Sequence, residues 1–235
     1  MTKPIQKRFE RFFVEEAIRS LGVGWTIFEE RDPPDFIIAD GDNHFGLDVA
    51  DVFAGSQDEH GSQTKRAESD TQKLLNNLRR QYEAEANVNL CVKFLGRLAP
   101  DTLAKVVPEL VALDLAAKPL AYQTTIEIQV GFEAPLKLFV TKGSRSEWFA
   151  MGDRVGFVTR NPDPIIAAEI AKKGKKLAQY KSLVGNDVRL LLVANRIPNS
   201  GKIGAKTESA FDFSGFSAVY FFPYPEDAIA LREAS

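Results

Sequence analysis

Two aspartates stand in a segment whose other residues are typical of paired strands. Asp35 opens the apolar run 36–38 after a Pro-Pro pair, and Asp48 lies within the mostly apolar run 45–53. The turn 40–43, with the sequence Asp-Gly-Asp-Asn, joins the two runs and predicts a β-hairpin. A carboxylate buried beside a strand costs several kcal/mol unless it is paired or binds a cation. The hairpin therefore predicts a site in which two carboxylates hold a hard divalent cation.

The same hairpin has a second interpretation that needs no metal. The segment 32–35, Asp-Pro-Pro-Asp, is typical of a turn, because Asp caps turns and Pro fixes φ. Asp48 would then lie on a solvated face, while Leu47 and Val49 point inward. The organisation of the rest of the chain favours the metal site.

The pairing of Pro34-Asp35 with Asp48-Val49-Ala50 resembles the PD-(D/E)XK nuclease superfamily. The resemblance implies an α/β, restriction-endonuclease-like fold, with a mixed central sheet flanked by helices. It also implies hydrolysis of phosphodiester bonds with Mg²⁺ or Mn²⁺ as cofactor. Ala50 departs from the pattern, because the superfamily has a lysine there that positions or activates the attacking water. Either the lysine has moved to another element, or the chain is a catalytically weakened relative.

Hydrophobic periodicity predicts the elements that would position these residues. The first part of the chain shows the pattern helix, three strands, helix and strand, which is the core order of the superfamily that it resembles. The predicted ranges are a helix over 5–21, strands over 25–30, 36–38 and 45–53, a helix over 64–85 and a strand over 88–95.

The remaining residues predict a middle insertion or sheet extension over 98–160, within a single domain that spans 1–235. Its predicted elements are a helix over 101–118 with a break at Pro108, and strands over 124–130, 136–140 and 154–160. A helix over 164–181 and strands over 188–194 and 216–222 then complete the α/β pattern.

The resemblance also implies an acid from the first helix beside the metal. Glu16 falls inside the apolar arc that contains Phe9 and Phe12, whereas Glu15 points away from it. We therefore predict Glu16 for this role, with Glu10 as an alternative in the same broad arc. Glu16 could equally lie at the edge of the buried face and reach water.

The helix over 164–181 contains the best candidate for the displaced lysine. Lys173 lies on the buried line of this helix, between Ile170 and Leu177. A lysine in that position needs either a carboxylate partner or a lowered pKa, and either property suits an active site. We predict that Lys173 orients the water or neutralises the phosphorane, and the alternative is a stem that covers the core with its ammonium at the surface.

Basic side chains on two helices are candidates for contacts with the phosphate backbone of DNA. They are Lys65, Arg66, Lys73 and Arg80 on the second helix, and Lys176 near the displaced lysine. An ordinary solvated helix face also explains them. The formal net charge of −2 offers no attractive field to a polyanion, so DNA would require a local basic face.

Composition argues against several other functions. The chain has 1 cysteine and 2 histidines, so a cysteine-rich or histidine-rich zinc site is not expected. No Walker or Gly-x-Gly-x-x-Gly loop follows a strand, and we expect no nucleotide cofactor. No run has the length of a membrane span, and the first residues lack the apolar region of a signal peptide. We therefore expect a cytoplasmic protein without membrane contact.

These observations predict a metal-dependent endo- or exodeoxyribonuclease. Asp35 and Asp48 would bind Mg²⁺ or Mn²⁺, with Glu16 and Lys173 assisting. The alternative is a catalytically inactive, nuclease-like module that binds nucleic acid or a protein partner, which Ala50 and the acidic net charge favour. The sequence leaves open whether the target is DNA or RNA, and whether a homodimer cuts both strands.

Overall fold

The computed structural model describes residues 4–54, 57–58, 61–132, 134–151, 159, 161–204 and 208–234. The protein is mixed α/β, with mixed sheets and flanking helices. It divides into two compact units. The first unit combines Met1–Thr64 with Gly156–Ser235, and the second is Lys65–Val155. No helix in the described ranges is long and apolar enough to cross a membrane.

The elements of the described residues are numbered in chain order. The helices are α1 (Pro4–Leu21), α2 (Gln63–Ala86), α3 (Pro100–Leu103), α4 (Val106–Ala112), α5 (Asp163–Gly174) and α6 (Leu177–Val184), with 3₁₀ turns at Leu115–Ala117 and Asn199–Gly201. The strands are β1 (Thr26–Glu30), β2 (Phe36–Asp40), β3 (Asn43–Asp51), β4 (Gln57–Asp58), β5 (Gly61–Ser62), β6 (Leu90–Leu95), β7 (Gln123–Ile128), β8 (Leu136–Lys142), β9 (Glu147–Ala150), β10 (Val188–Val193), β11 (Ala210–Phe211), β12 (Ala218–Phe222), β13 (Ile229–Ala230) and β14 (Arg232–Glu233).

A six-stranded mixed sheet organises the first unit, in the order β1-β2-β3-β10-β12-β13. Strands β1, β2 and β3 pair antiparallel, as the predicted hairpin requires. Strand β10 pairs parallel to both β3 and β12. A parallel pair needs a long crossover, and here the chain between β3 and β10 contains the second unit, α5 and α6.

The two faces of this sheet are covered by different helices. Ile170 of α5 packs with Leu190 in one apolar cluster, and Val14 of α1 packs with Leu191 in another. Successive residues of a strand point to opposite faces. Asp48 therefore shares the face of Ala50, which belongs to the cluster of α5 and α6.

The second unit contains a four-stranded sheet in the order β7-β8-β6-β9. Leu75 and Tyr82 of α2 and Leu110 of α4 join its core together with Trp148. The sequence had placed α2 and the strand 88–95 in the nuclease-like core. That assignment was wrong, because β6 pairs with β8 and β9, while β10 takes the place beside β3.

Predicted and observed ranges differ in several places, and one predicted strand lies largely outside the described residues. The helix predicted over 164–181 is two helices, α5 and α6, separated at residues 175–176. The break predicted at Pro108 falls earlier, between α3 and α4, and Pro108 lies in the first turn of α4, where a missing N–H costs little. The strand predicted over 154–160 lies outside the described residues except for Thr159. The predicted insertion spans 98–160, whereas the second unit begins at Lys65.

Gly46 of β3 leaves no space for a side chain against the end of α6. A Cβ there would lie 2.7 Å from Val184 Cγ2 and 3.0 Å from Pro34 Cγ. We expect Gly46→Ala to lower the free energy of unfolding by about 1–3 kcal/mol, because it overpacks this contact. Urea denaturation checks the change.

The paired variant Gly46→Ala/Val184→Ala is the control, because it removes the nearest methyl group. It should recover part of the lost stability. A Gly46→Ala single variant as stable as the wild type would contradict the proposed close contact.

Candidate functional site

The hairpin of β2 and β3 brings Asp35 and Asp48 together. Phe36 and Leu47 face each other in the antiparallel pair. Asp35, just before Phe36, therefore lies beside Asp48, just after Leu47. The Val49 N–H donates a hydrogen bond of 2.9 Å to Asp35 Oδ2, which fixes this carboxylate against β3. Asp35 is 9% exposed and Asp48 is 3% exposed. Both acids are therefore buried, and the interpretation of Asp48 as a solvated residue does not hold.

Lys173 reaches this pair of acids from α5. Its Nζ lies 2.7 Å from Asp48 Oδ2 and donates a hydrogen bond of 3.1 Å to the Val49 carbonyl oxygen. Three residues predicted from sequence, Asp35, Asp48 and Lys173, thus meet in one cluster. The side chain of Ala50 packs in the apolar core, and the ammonium beside Asp48 comes from a different element.

The charges in this cluster shift the proton affinity of Asp48. Burial raises the pKa of Asp48 to about 6, the Lys173 ammonium opposes that shift, and the Asp35 carboxylate adds to it. The Lys173 ammonium therefore does not fully offset the effects of burial and of Asp35 on the Asp48 carboxylate. A divalent cation would relieve the remaining repulsion.

Tyr180 of α6 lies close to Asp48 and is not among the site residues predicted from the sequence. The side chain is buried, and its hydroxyl is near enough to the Asp48 carboxylate to interact with its charge. Burial, and then the charge of Asp48, raise the pKa of Tyr180, so the hydroxyl stays protonated and remains a donor. An aromatic residue with a polar tip on a buried helix line was the available signal.

The first helix contributes Lys7 and Glu10 to the cluster. Lys7 Nζ lies 3.3 Å from Asp35 Oδ1 and 3.5 Å from Glu10 Oε2. Burial raises the pKa of Glu10, and the negative charge of Asp35 adds to the shift. The i,i+3 spacing of Lys7 and Glu10 was the sequence signal that these side chains act together.

Glu16, the acid predicted from this helix, is placed elsewhere by the structure. It pairs with Arg19 at 2.6 Å. The predicted arc contains Phe9, which is exposed, whereas Ala17 is buried. At about 3.6 residues per turn, Glu10 lies on the side of Ala17, and Glu16 lies about 120° around the helix from Glu10. Periodicity therefore misplaced the centre of the buried face of this helix.

The side chains predicted to contact DNA lie on two different elements. Lys65, Arg66, Lys73 and Arg80 belong to α2, and Lys176 immediately precedes α6. Lys73 is paired with Asp70 at 2.8 Å. Lys65, Arg80 and Lys176 are exposed, as a solvated helix face also requires. Their contact with DNA stays a prediction.

The donor atoms of the cluster fit a hard divalent cation. Asp35, Asp48 and the Val49 carbonyl offer oxygen ligands, and Mg²⁺ commonly takes one or two carboxylates with water and phosphate oxygens. Among the described residues, no group of three or more His, Cys, Asp and Glu side chains could hold a metal ion. A cation at this site would therefore complete its shell with water or substrate oxygens.

Comparisons with known proteins add no assignment. No family model, no curated protein and no solved structure matches the chain. The geometry of Asp35, Asp48 and Lys173 is therefore the basis for a function.

The raised pKa of Asp48 makes the stability of the metal-free protein depend on pH. The folded-state pKa of about 6 exceeds the ordinary aspartate value of about 3.9. Between these values the folded state binds more protons than the unfolded state, so the contribution of Asp48 falls as the pH rises. We expect Asp48→Asn to gain stability relative to the wild type from about pH 4 to about pH 6.

Urea denaturation with a chelator present, repeated across this pH range, measures that difference. Asp42→Asn is the matched control, because Asp42 is exposed in the turn of the same hairpin. A difference between wild type and Asp48→Asn that is flat with pH, or that changes in the opposite direction, would contradict the assigned shift.

Proposed function

We propose that this protein is a Mg²⁺- or Mn²⁺-dependent nuclease that hydrolyses phosphodiester bonds in DNA. One observation carries the proposal: two buried aspartates on adjacent strands converge with a lysine whose Nζ is 2.7 Å from Asp48 Oδ2. This combination of two acids and a lysine matches what the resemblance to the PD-(D/E)XK superfamily implies, with Lys173 in place of the lysine missing at Ala50.

The order of elements supports a restriction-endonuclease-like fold as the finer proposal. Helix α1 is followed by β1, β2 and β3, and the helices α5 and α6 then lead into β10, which is parallel to β3. This is the order helix, three strands, helix and strand of the superfamily, with the second unit inserted after β3. The proposed core thus uses β10 where the sequence pattern had suggested β6.

The residues of the cluster have distinct roles in the proposed reaction. Asp35, Asp48 and the Val49 carbonyl would hold the cation, which when bound supplies an activated water and stabilises charge on the phosphate. Lys173, beside Asp48, would orient the attacking water or neutralise charge on the phosphorane. The Tyr180 hydroxyl, which stays protonated, would offer a hydrogen-bond donor to the Asp48 carboxylate.

DNA as the substrate would be bound by basic side chains on exposed helical surface. Lys65 and Arg80 on α2, and Lys176 before α6, offer ammonium and guanidinium groups to a phosphate backbone. Because the net charge is −2, such contacts would depend on these local groups and weaken with added salt.

A second candidate is a non-catalytic module that keeps a nuclease-like fold and binds nucleic acid or a protein partner. The observation that favours it is the Lys173 ammonium, which contacts both Asp48 Oδ2 and the Val49 carbonyl and so balances the charge of Asp48. In that case Lys173 would serve as a structural counter-charge, and Ala50 would mark the loss of the catalytic lysine.

Cleavage of plasmid and single-stranded DNA with Mg²⁺ or Mn²⁺ tests the nuclease. We expect metal-dependent cleavage by the wild type and its loss, by about 10²-fold or more, in Asp48→Asn, because the cation loses a charged ligand. Lys173→Met should lower cleavage at saturating metal, since Lys173 acts on the water or the phosphorane.

Asp42→Asn and Lys172→Met are the matched controls, because Asp42 lies in the exposed hairpin turn and Lys172 is exposed and pairs with Glu169. Both should cleave like the wild type. A folded wild type that cleaves neither substrate and binds neither metal would exclude the nuclease and leave the binding module.

A further inference from the structure

Lys7 is a second lysine in the cluster, and the proposed chemistry does not use it. Its Nζ donates hydrogen bonds to the Asp35 carbonyl oxygen at 2.8 Å and to the Arg31 carbonyl oxygen at 3.0 Å. The Asp35 carboxylate is farther away, at 3.3 Å from the same nitrogen. The ammonium also lies 4.3 Å from the centre of the Phe36 ring. Lys7 is thus held chiefly by main-chain oxygens on both sides of the Asp35 turn.

The turn that carries Asp35 is closed by a main-chain hydrogen bond. The Arg31 N–H donates to the Asp35 carbonyl at 3.0 Å. Pro33 and Pro34 have no N–H to donate. Lys7 adds a donor from α1 to the carbonyl oxygens at both ends of this turn, and one of these oxygens belongs to the residue whose side chain enters the site.

We propose that Lys7 is a positioning residue that holds Asp35 in the geometry needed to bind the cation. This inference rests on the proposed function. Lys7 acts through the Arg31–Asp35 turn and not on the reacting atoms, so its loss affects metal binding more than turnover.

The sign of the effect separates this role from a simple counter-charge. An ammonium close to a cation site repels the cation, so a Lys7 that acted by charge alone would weaken metal binding, and its removal would tighten it. If Lys7 positions Asp35, removing Lys7 weakens metal binding, because the ligand Asp35 loses a contact that holds it. Loss of a supporting contact to a metal ligand typically weakens binding by about 10–100-fold.

The experiment measures Mg²⁺ binding calorimetrically on the full chain without DNA, and then the Mg²⁺ dependence of plasmid cleavage. The variants are Lys7→Met and Lys7→Gln, the second of which keeps a hydrogen-bond donor without the charge. Arg8→Met is the matched control, because it removes one positive charge from an exposed neighbouring position of α1.

We expect Lys7→Met to need about tenfold more Mg²⁺ for half-saturation in both measurements. Turnover at saturating Mg²⁺ should stay near the wild-type value, Lys7→Gln should be intermediate, and Arg8→Met should match the wild type. Unchanged or tighter Mg²⁺ binding by folded Lys7→Met or Lys7→Gln would overturn the positioning role. A wild type that binds no Mg²⁺ would instead overturn the proposed function.

Discussion

The ion pair between Lys173 and Asp48 is the interaction on which the site depends. Asp48 is 3% exposed and lies beside a second carboxylate, so it requires a positive charge nearby. Lys173 supplies that charge from α5 and also binds the carbonyl of the next residue of β3. Removing one partner of such a pair leaves an uncompensated buried charge, which typically costs about 3–5 kcal/mol. The contact therefore joins the helix layer to the sheet at the point where the chemistry is proposed.

The sheet topology explains why residues so far apart in sequence meet. The hairpin of β2 and β3 aligns Asp35 with Asp48, and the parallel pairing of β3 with β10 brings back the chain after α5 and α6. Within the crossover, α5 and α6 cover the face to which Asp48 points, whereas α1 covers the other face. The chain can insert an entire second unit between β3 and α5 without changing this arrangement. The site requires only that β3 and β10, the strands that the crossover joins, remain paired.

Sequence patterns predicted the hairpin and the first helix from their regular apolar spacing. They also predicted Asp35, Asp48 and Lys173 as site residues, because each of these three charged residues interrupts such a pattern. An acid within a strand or a lysine on a buried helix line demands a partner, and the structure supplies one for each. The patterns did not predict which strands pair or which elements pack against each other. Periodicity showed that β6 is buried but could not assign it to the second sheet. It misplaced the centre of the buried face of α1 and therefore selected Glu16 instead of Glu10, which lies about 120° away around the helix.

A crystal structure of the wild type soaked in Mn²⁺, with an anomalous difference map, tests the central claim most directly. We expect a peak within about 2–2.5 Å of carboxylate oxygens of both Asp35 and Asp48. Such a peak would show that the two acids share one cation. The position of Lys173 in the same map would show whether its side chain moves away from Asp48 or stays next to the cation. A map without a peak at this position, in which Lys173 Nζ still contacts Asp48 Oδ2 and the Val49 carbonyl, would contradict the claim. The cluster would then be a buried ion-pair network that stabilises the fold.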